Sequence, residues 1–290
     1  MLKACLIMGG AFIGATLSLA VAPAPASWIG AAGILVATTA LFAWSIGNAN
    51  SGFWIETLSR SPRSSRAVAL TFDDGPDAHF TPRVLDILEE KRVPATFFVV
   101  GTRAERHPEV IRRAHDLGHA LGNHSHTHSL LFHLLHRSGL RREIGACNEA
   151  IRSAIGREPR LFRSPHGVKT PALGDVLAET GMSAVGWQVR AMDYVVRDPG
   201  RIARRIVEGA VDGGVLLLHD GGGFQGGADR SATVEALPLV IDGLRARGFT
   251  FLRVDQLFPV AAYRAEDGRA GSGSPAAHVT RPAAGPDATP

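Results

Sequence analysis

Between residues 67 and 254, seven short apolar runs alternate with six helix-like stretches, and this alternation constrains the chain more than any other feature. The runs are Ala67–Phe72, Ala95–Val100, Ala120–Asn123, Leu161–Arg163, Ala184–Trp187, Val215–Leu218 and Thr250–Val254. Between them lie Thr81–Lys91, Glu109–Leu117, Gly139–Ile155, Pro171–Thr180, Pro199–Gly209 and Val234–Arg247. Gly118, Gly156, Gly181 and Gly248 stand where helix C-caps belong. Strands in alternation with helices predict an α/β fold with a mostly parallel sheet. A barrel and an open sheet both satisfy the count, and in either one chemistry gathers at the C-terminal ends of the strands.

Both ends of the chain differ from this middle. Residues 1–50 carry a single charge, Lys3, and hold two apolar runs of spanning length, about 4–22 and 28–47. The Ala22–Ser27 stretch, rich in proline, separates them and suits the turn of a membrane hairpin. Lys3 before the runs and Arg60, Arg63 and Arg66 after them favour a cytoplasmic catalytic domain. Cleavage at Ala24-Pro25-Ala26 would instead leave one anchor and an external domain. Residues 51–65 read as a linker, 66–260 as one domain, and 261–290 as a tail too poor in apolar residues to order itself. The net charge of +4 comes from scattered arginines, which gives no nucleic-acid stripe. Two cysteines, Cys5 and Cys147, make neither a disulfide framework nor a metal motif.

Polar strings close the apolar runs. Thr71-Phe72-Asp73-Asp74-Gly75-Pro76 places two acids at a strand end, and Asn123-His124-Ser125-His126-Thr127-His128-Ser129 places three histidines beyond another. An Asp-Gly-Pro turn explains the first string blandly. Adjacent acids nonetheless repel unless a cation lies between them. One carboxylate with His124 and His128 makes a three-ligand metal site with an open position, and the second acid is then a base. His126 points elsewhere in this reading, and His133 and His136 take no role. Arg163 ends a third run, where it either faces solvent or pairs with an acid to hold it ionised. His219 follows three leucines and suits a general acid, oriented by Asp193, against the alternative of a core histidine. Gly221-Gly222-Gly223 lacks the lysine of a phosphate loop.

Taken together, over about residues 66–257, these strings resemble the NodB-type polysaccharide deacetylases, carbohydrate esterase family four. The resemblance implies a distorted (β/α) barrel, following the N-terminal two-helix transmembrane segment. It implies Asp73 as base, with Asp74, His124 and His128 as ligands of one divalent metal, zinc or alternatively cobalt or nickel. It implies Arg163 as the group that holds the base, Asp193 as the acid of the fourth motif, and His219 as general acid. Ser164 and His166 replace the family's usual Pro and aromatic, and Arg190 and Tyr194 replace an acid and a Trp. The implied reaction removes N-acetyl, or O-acetyl, groups from a glycan or lipid-linked amino sugar at a bacterial membrane. A metal phosphoesterase and a non-catalytic sugar-binding protein are the competing readings. The sequence leaves the oligomeric state and the substrate open.

Overall fold

The structure is a computed structural model that describes residues 6–7, 10–15, 26–62, 66–222 and 228–265. Helix α1 (Ala26–Gly47) covers the second apolar run. Of the first run, residues 6–7 and 10–15 are helical, and the remainder lies outside the described residues. Among the described residues, one helix, Trp28–Gly47, is long and apolar enough to cross a membrane.

The nine strands among the described residues are β1 (Thr57–Leu58), β2 (Ala67–Asp73), β3 (Ala95–Val99), β4 (Ala120–Asn123), β5 (Leu161–Phe162), β6 (Ser183–Val185), β7 (Val189–Arg190), β8 (Val215–His219) and β9 (Thr250–Phe251). They pair in the order β1-β6-β5-β4-β3-β2-β8-β7, with β9 beside β2, and every named pairing is parallel. The sheet curls into a half-barrel. Beyond β1 the chain also touches the start of β8, where Val215 N donates to Ser59 O and Ser61 N to Gly213 O. Within the expected linker, 51–65, the described residues 51–62 supply an edge strand and a seam. The expected boundary at 260 also moves: Ala262 is buried, the Tyr263 hydroxyl accepts from Leu121 N at 3.0 Å, and Arg264 pairs with Glu158. Residues 266–290 lie outside the described residues.

Helices α2 (Phe80–Glu90), α3 (Gly101–Arg106), α4 (Pro108–Asp116), α5 (Arg137–Ile155), α6 (Pro171–Thr180), α7 (Pro199–Gly209) and α8 (Ser231–Ala246) connect the strands, with a short α9 (Val254–Leu257) last. Gly156 and Gly181 cap α5 and α6 in the left-handed conformation, with φ of 71° and 66°.

Strand periodicity aims the site. Val68, Leu70 and Phe72 of β2 pack with Leu216 and Leu218 of β8 and with helix residues such as Leu85, Leu237 and Val240. Ala67 and Ala69 pack instead with Phe98, Leu161, Val185 and Val215 in a second cluster. Alternate residues point to opposite faces, so Thr71 and Asp73 share the inner face with Leu217 and His219. The parallel register pairs Asp73 directly with His219, Asp73 with Phe98, and Phe98 with Gly122. Gly122 is required there, since a Cβ would lie 2.7 Å from the Phe98 ring. The next inner position up β4 is His124.

Candidate active site

Asp73 ends β2, and Asp74 follows it with a φ of 72°, a left-handed turn that swings its carboxyl away from that of Asp73. His124 and His128 leave β4 in a loop fixed by Ser125 N donating to Asn123 Oδ1 at 2.8 Å and His128 N donating to Ser125 Oγ at 3.1 Å. Asn123 is itself held by Ile144 O and Asn148 Oδ1. His128 Nε2 comes 3.1 Å from Asp74 Oδ1, and His124 Nε2 comes 3.5 Å from the same oxygen. The three residues offer ligand atoms that all lie within 4.8 Å of one another. Donors about 2.1 Å from a tetrahedral ion lie roughly 3.4 Å apart, so the spacing fits a zinc-type site. Nδ1 of His124 bonds the Arg163 carbonyl at 2.8 Å, which turns Nε2 toward the cluster. Burial opposes its imidazolium, but Asp73 and Asp74 outweigh that and raise His124, so a cation bound there would displace a proton. Burial and the neighbouring His124 lower His128 to about 3, so its ring is the neutral form a metal needs. Burial opposes the Asp74 charge, but the hydrogen bond to His124 and the nearby imidazoles hold its carboxyl well below the usual carboxylate range.

Behind Asp73 stands Arg163, among the most buried side chains. Its Nη1 donates to Asp73 Oδ1 at 2.6 Å and to Thr71 Oγ1 at 2.8 Å, and its Nη2 donates to Gly186 O at 2.8 Å. The guanidinium lies 4.1 Å from the centre of the Phe98 ring. The buried pair fixes the Asp73 carboxyl and leaves Oδ2 facing His124 Nε2 at 3.7 Å.

His219 ends β8. Its Nδ1 lies 2.7 Å from Asp193 Oδ1, and its backbone N–H donates to Asp193 Oδ2 at 2.8 Å. Thr233 Oγ1 also donates to Oδ2, at 2.9 Å, and Arg230 holds the Asp193 carbonyl. Burial disfavours the imidazolium, but Asp193, helped by Asp74 and Asp73, outweighs it and raises His219 to about 9. Burial likewise works against the Asp193 charge, yet His219 and Arg230 keep it below the usual range.

The structure therefore brings all seven sequence-derived residues to one place. Asp73, Asp74, His124, His128 and His219 line a cleft of about 350 Å³, while Arg163 and Asp193 support it from behind. His126 turns toward α3, with Nε2 3.9 Å from Glu105. Four residues that the sequence reading left unassigned also belong here. Arg230 and Thr233 fix Asp193 from α8 and its approach, Arg103 donates to the Asp74 carbonyl, and Trp187 forms part of the cleft wall. Their partners are remote in sequence, so no local pattern marks them.

A family model for polysaccharide deacetylases matches residues 60–185. A chitooligosaccharide deacetylase of Bradyrhizobium sp. is 39% identical over 202 residues, which is 67% of this chain and 91% of the relative. This chain belongs to the polysaccharide deacetylase family. A peptidoglycan-N-acetylglucosamine deacetylase of Bacillus cereus is 34% identical over 198 residues, covering 68% of this chain and 90% of that one. The crystal structure of the Bc1960 peptidoglycan N-acetylglucosamine deacetylase superposes with a TM-score of 0.66 at 29% identity, covering 77% of this deacetylase-family chain and 99% of the other. The NodB-type architecture of the family is the curled parallel sheet described above.

Proposed function

We propose that the chain is a metal-dependent hydrolase that removes N-acetyl groups from an amino sugar in a glycan or on a lipid carrier. One observation carries the reading: three metal-type donors, a carboxylate paired with a buried arginine and an imidazole paired with a buried carboxylate converge on one cleft. A divalent cation held by Asp74, His124 and His128, zinc by the donor set, would supply Lewis acidity and a more acidic water. Asp73 takes the proton of the attacking water, and Arg163 holds it aimed. A backbone N–H of the loop after Arg163, whose Ser164, His166 and Gly167 line the cleft, would meet the developing oxyanion. His219, protonated at neutral pH, gives its proton to the departing amine, so acetate and a free amino sugar leave. An acetyl ester suits the same groups.

A two-metal phosphoesterase needs a second donor set, and among the described residues one such cluster occurs. The intact base and acid weigh against a non-catalytic sugar binder. Helix α1 is proposed to be a retained membrane anchor, because the domain grips its last turn. Trp54 Nε1 donates to Ser45 Oγ at 3.0 Å, and Lys169 N donates to Ile46 O at 3.1 Å. Labelling of engineered cysteines from each side assigns the face of the membrane: cytoplasmic if residues 4–22 also span, external if α1 spans alone. The test of the reaction is acetate release from chitooligosaccharide by the zinc-loaded full chain. Release that stops on chelation supports it, and release unaffected by complete metal removal overturns it.

A further inference from the structure

The membrane anchor and the cleft share a wall. The apolar span of α1, Trp28–Gly47, has 20 residues. At 1.5 Å per residue it is about 30 Å long, the thickness of a bilayer core, so Gly47 falls at its surface. Two residues later Ala49 packs on the back of the cleft wall: a Cβ on Gly167 would lie 2.9 Å from Ala49 Cβ and 2.6 Å from Trp187 Cη2. Asn50 Oδ1 accepts from Trp187 N at 3.3 Å. Gly167 and Trp187 both line the cleft. The junction is not slack. Buried Lys169 donates to Ala49 O at 2.8 Å, Ser51 O at 2.6 Å and Thr57 Oγ1 at 2.7 Å. Two residues of extended chain span roughly 7 Å, so the Ala49 contact with the cleft wall lies within about that distance of Gly47.

A second observation falls on the same rim. The loop after His128 exposes Leu130, Leu131 and Leu134 at 55%, 61% and 68%. This loop adjoins His166, whose ring centre lies 4.9 Å from that of His128 and which precedes Gly167. Three exposed leucines in five residues are a poor surface for water and a good one for a lipid interface.

We infer that the cleft opens at the bilayer surface, with Leu130, Leu131 and Leu134 seated in lipid, and that its substrate is an acetylated amino sugar borne on a lipid. The substrate part rests on the deacetylase reading, while the membrane seating does not. The full chain carrying Cys5→Ser is reconstituted in phosphatidylcholine–phosphatidylglycerol vesicles containing brominated lipid. A bimane label is placed at Leu131→Cys or Leu134→Cys, with Leu239→Cys, 51% exposed on α8, as control. Quenching at 131 and 134 at least about threefold above that at 239 is the expected result, and equal quenching at the three positions overturns the seating. Acetate release is then compared between an acyl-chain-linked N-acetylglucosamine in the vesicles and a soluble chitooligosaccharide. Replacing the three leucines by glutamate lowers the lipid-borne turnover at least tenfold and leaves the soluble turnover unchanged. An equal effect on both substrates, or none on either, overturns the substrate assignment. Release from neither substrate by the parent protein refutes the deacetylase reading and leaves the quenching result to stand alone.

Discussion

His124 and His219 both emerge from the mouth of the same sheet, both on its inner face, and in both the Nδ1 atom is engaged. The partner of His124 is a neutral carbonyl, Arg163 O, whereas that of His219 is a carboxylate, Asp193. A carbonyl fixes the tautomer and leaves Nε2 free to bind a cation, whereas a buried carboxylate holds the proton on the ring. The same contrast separates the two acids. Asp73 is locked to a buried arginine, and Asp74 turns to the imidazoles. Identical side chains at the mouth of one sheet are thus divided into metal holding and proton moving by what lies behind them.

The largest break in this division is removal of the metal end. Chelation, or Asp74→Ala, is expected to abolish acetate release, with zinc restoring the chelated parent and not the variant. Removing the base without the metal comes next. Asp73→Asn is expected to lower kcat by about 10²–10⁴. Asp193→Asn sharpens the contrast between the histidines. His219 then falls from about 9 toward its ordinary value, so the alkaline limb of the rate profile moves to lower pH. The same shift appears in stability. The raised folded pKa adds stability that is fully present below about 6.5, the unfolded value, and is lost as pH rises through about 9. Urea unfolding of the metal-free parent is expected to show that loss across this window, and Asp193→Asn to show less of it. The smallest effect on chemistry is expected at Lys169→Met. Orphaned carbonyls at Ala49 and Ser51 cost about 1–3 kcal/mol each and lower the thermal midpoint, while turnover of soluble substrate changes by less than about tenfold.

The division was partly legible in the sequence. The ends of β2, β4, β5 and β8 were readable because buried parallel strands are continuous apolar runs, and a polar string that closes such a run stands out. Arg163 was readable as a partner for an acid because it closes one of those runs. Strands β1 and β7 were not readable, since Thr57-Leu58 lies between Glu56 and Ser59 and Val189 between Gln188 and Arg190, so neither makes an apolar run. Residues 51–65 looked like a linker for the same reason, although the backbone of residues 57–61 joins β6 and the start of β8. Arg230 and Thr233 look like ordinary helix-entry residues, and only the fold brings them to Asp193, 37 and 40 positions away. Lys169 resembles a surface lysine until the end of α1 is docked on it.

The central claim is that metal holding and proton moving are separate duties in one cleft. Metal content and acetate release measured side by side on the full-length parent, Asp73→Asn and Asp74→Ala test it most directly. The account predicts one bound metal with acetate release in the parent, one bound metal with almost no release in Asp73→Asn, and neither in Asp74→Ala. Loss of the metal from Asp73→Asn to the same degree as from Asp74→Ala, or undiminished acetate release by Asp73→Asn, would contradict it.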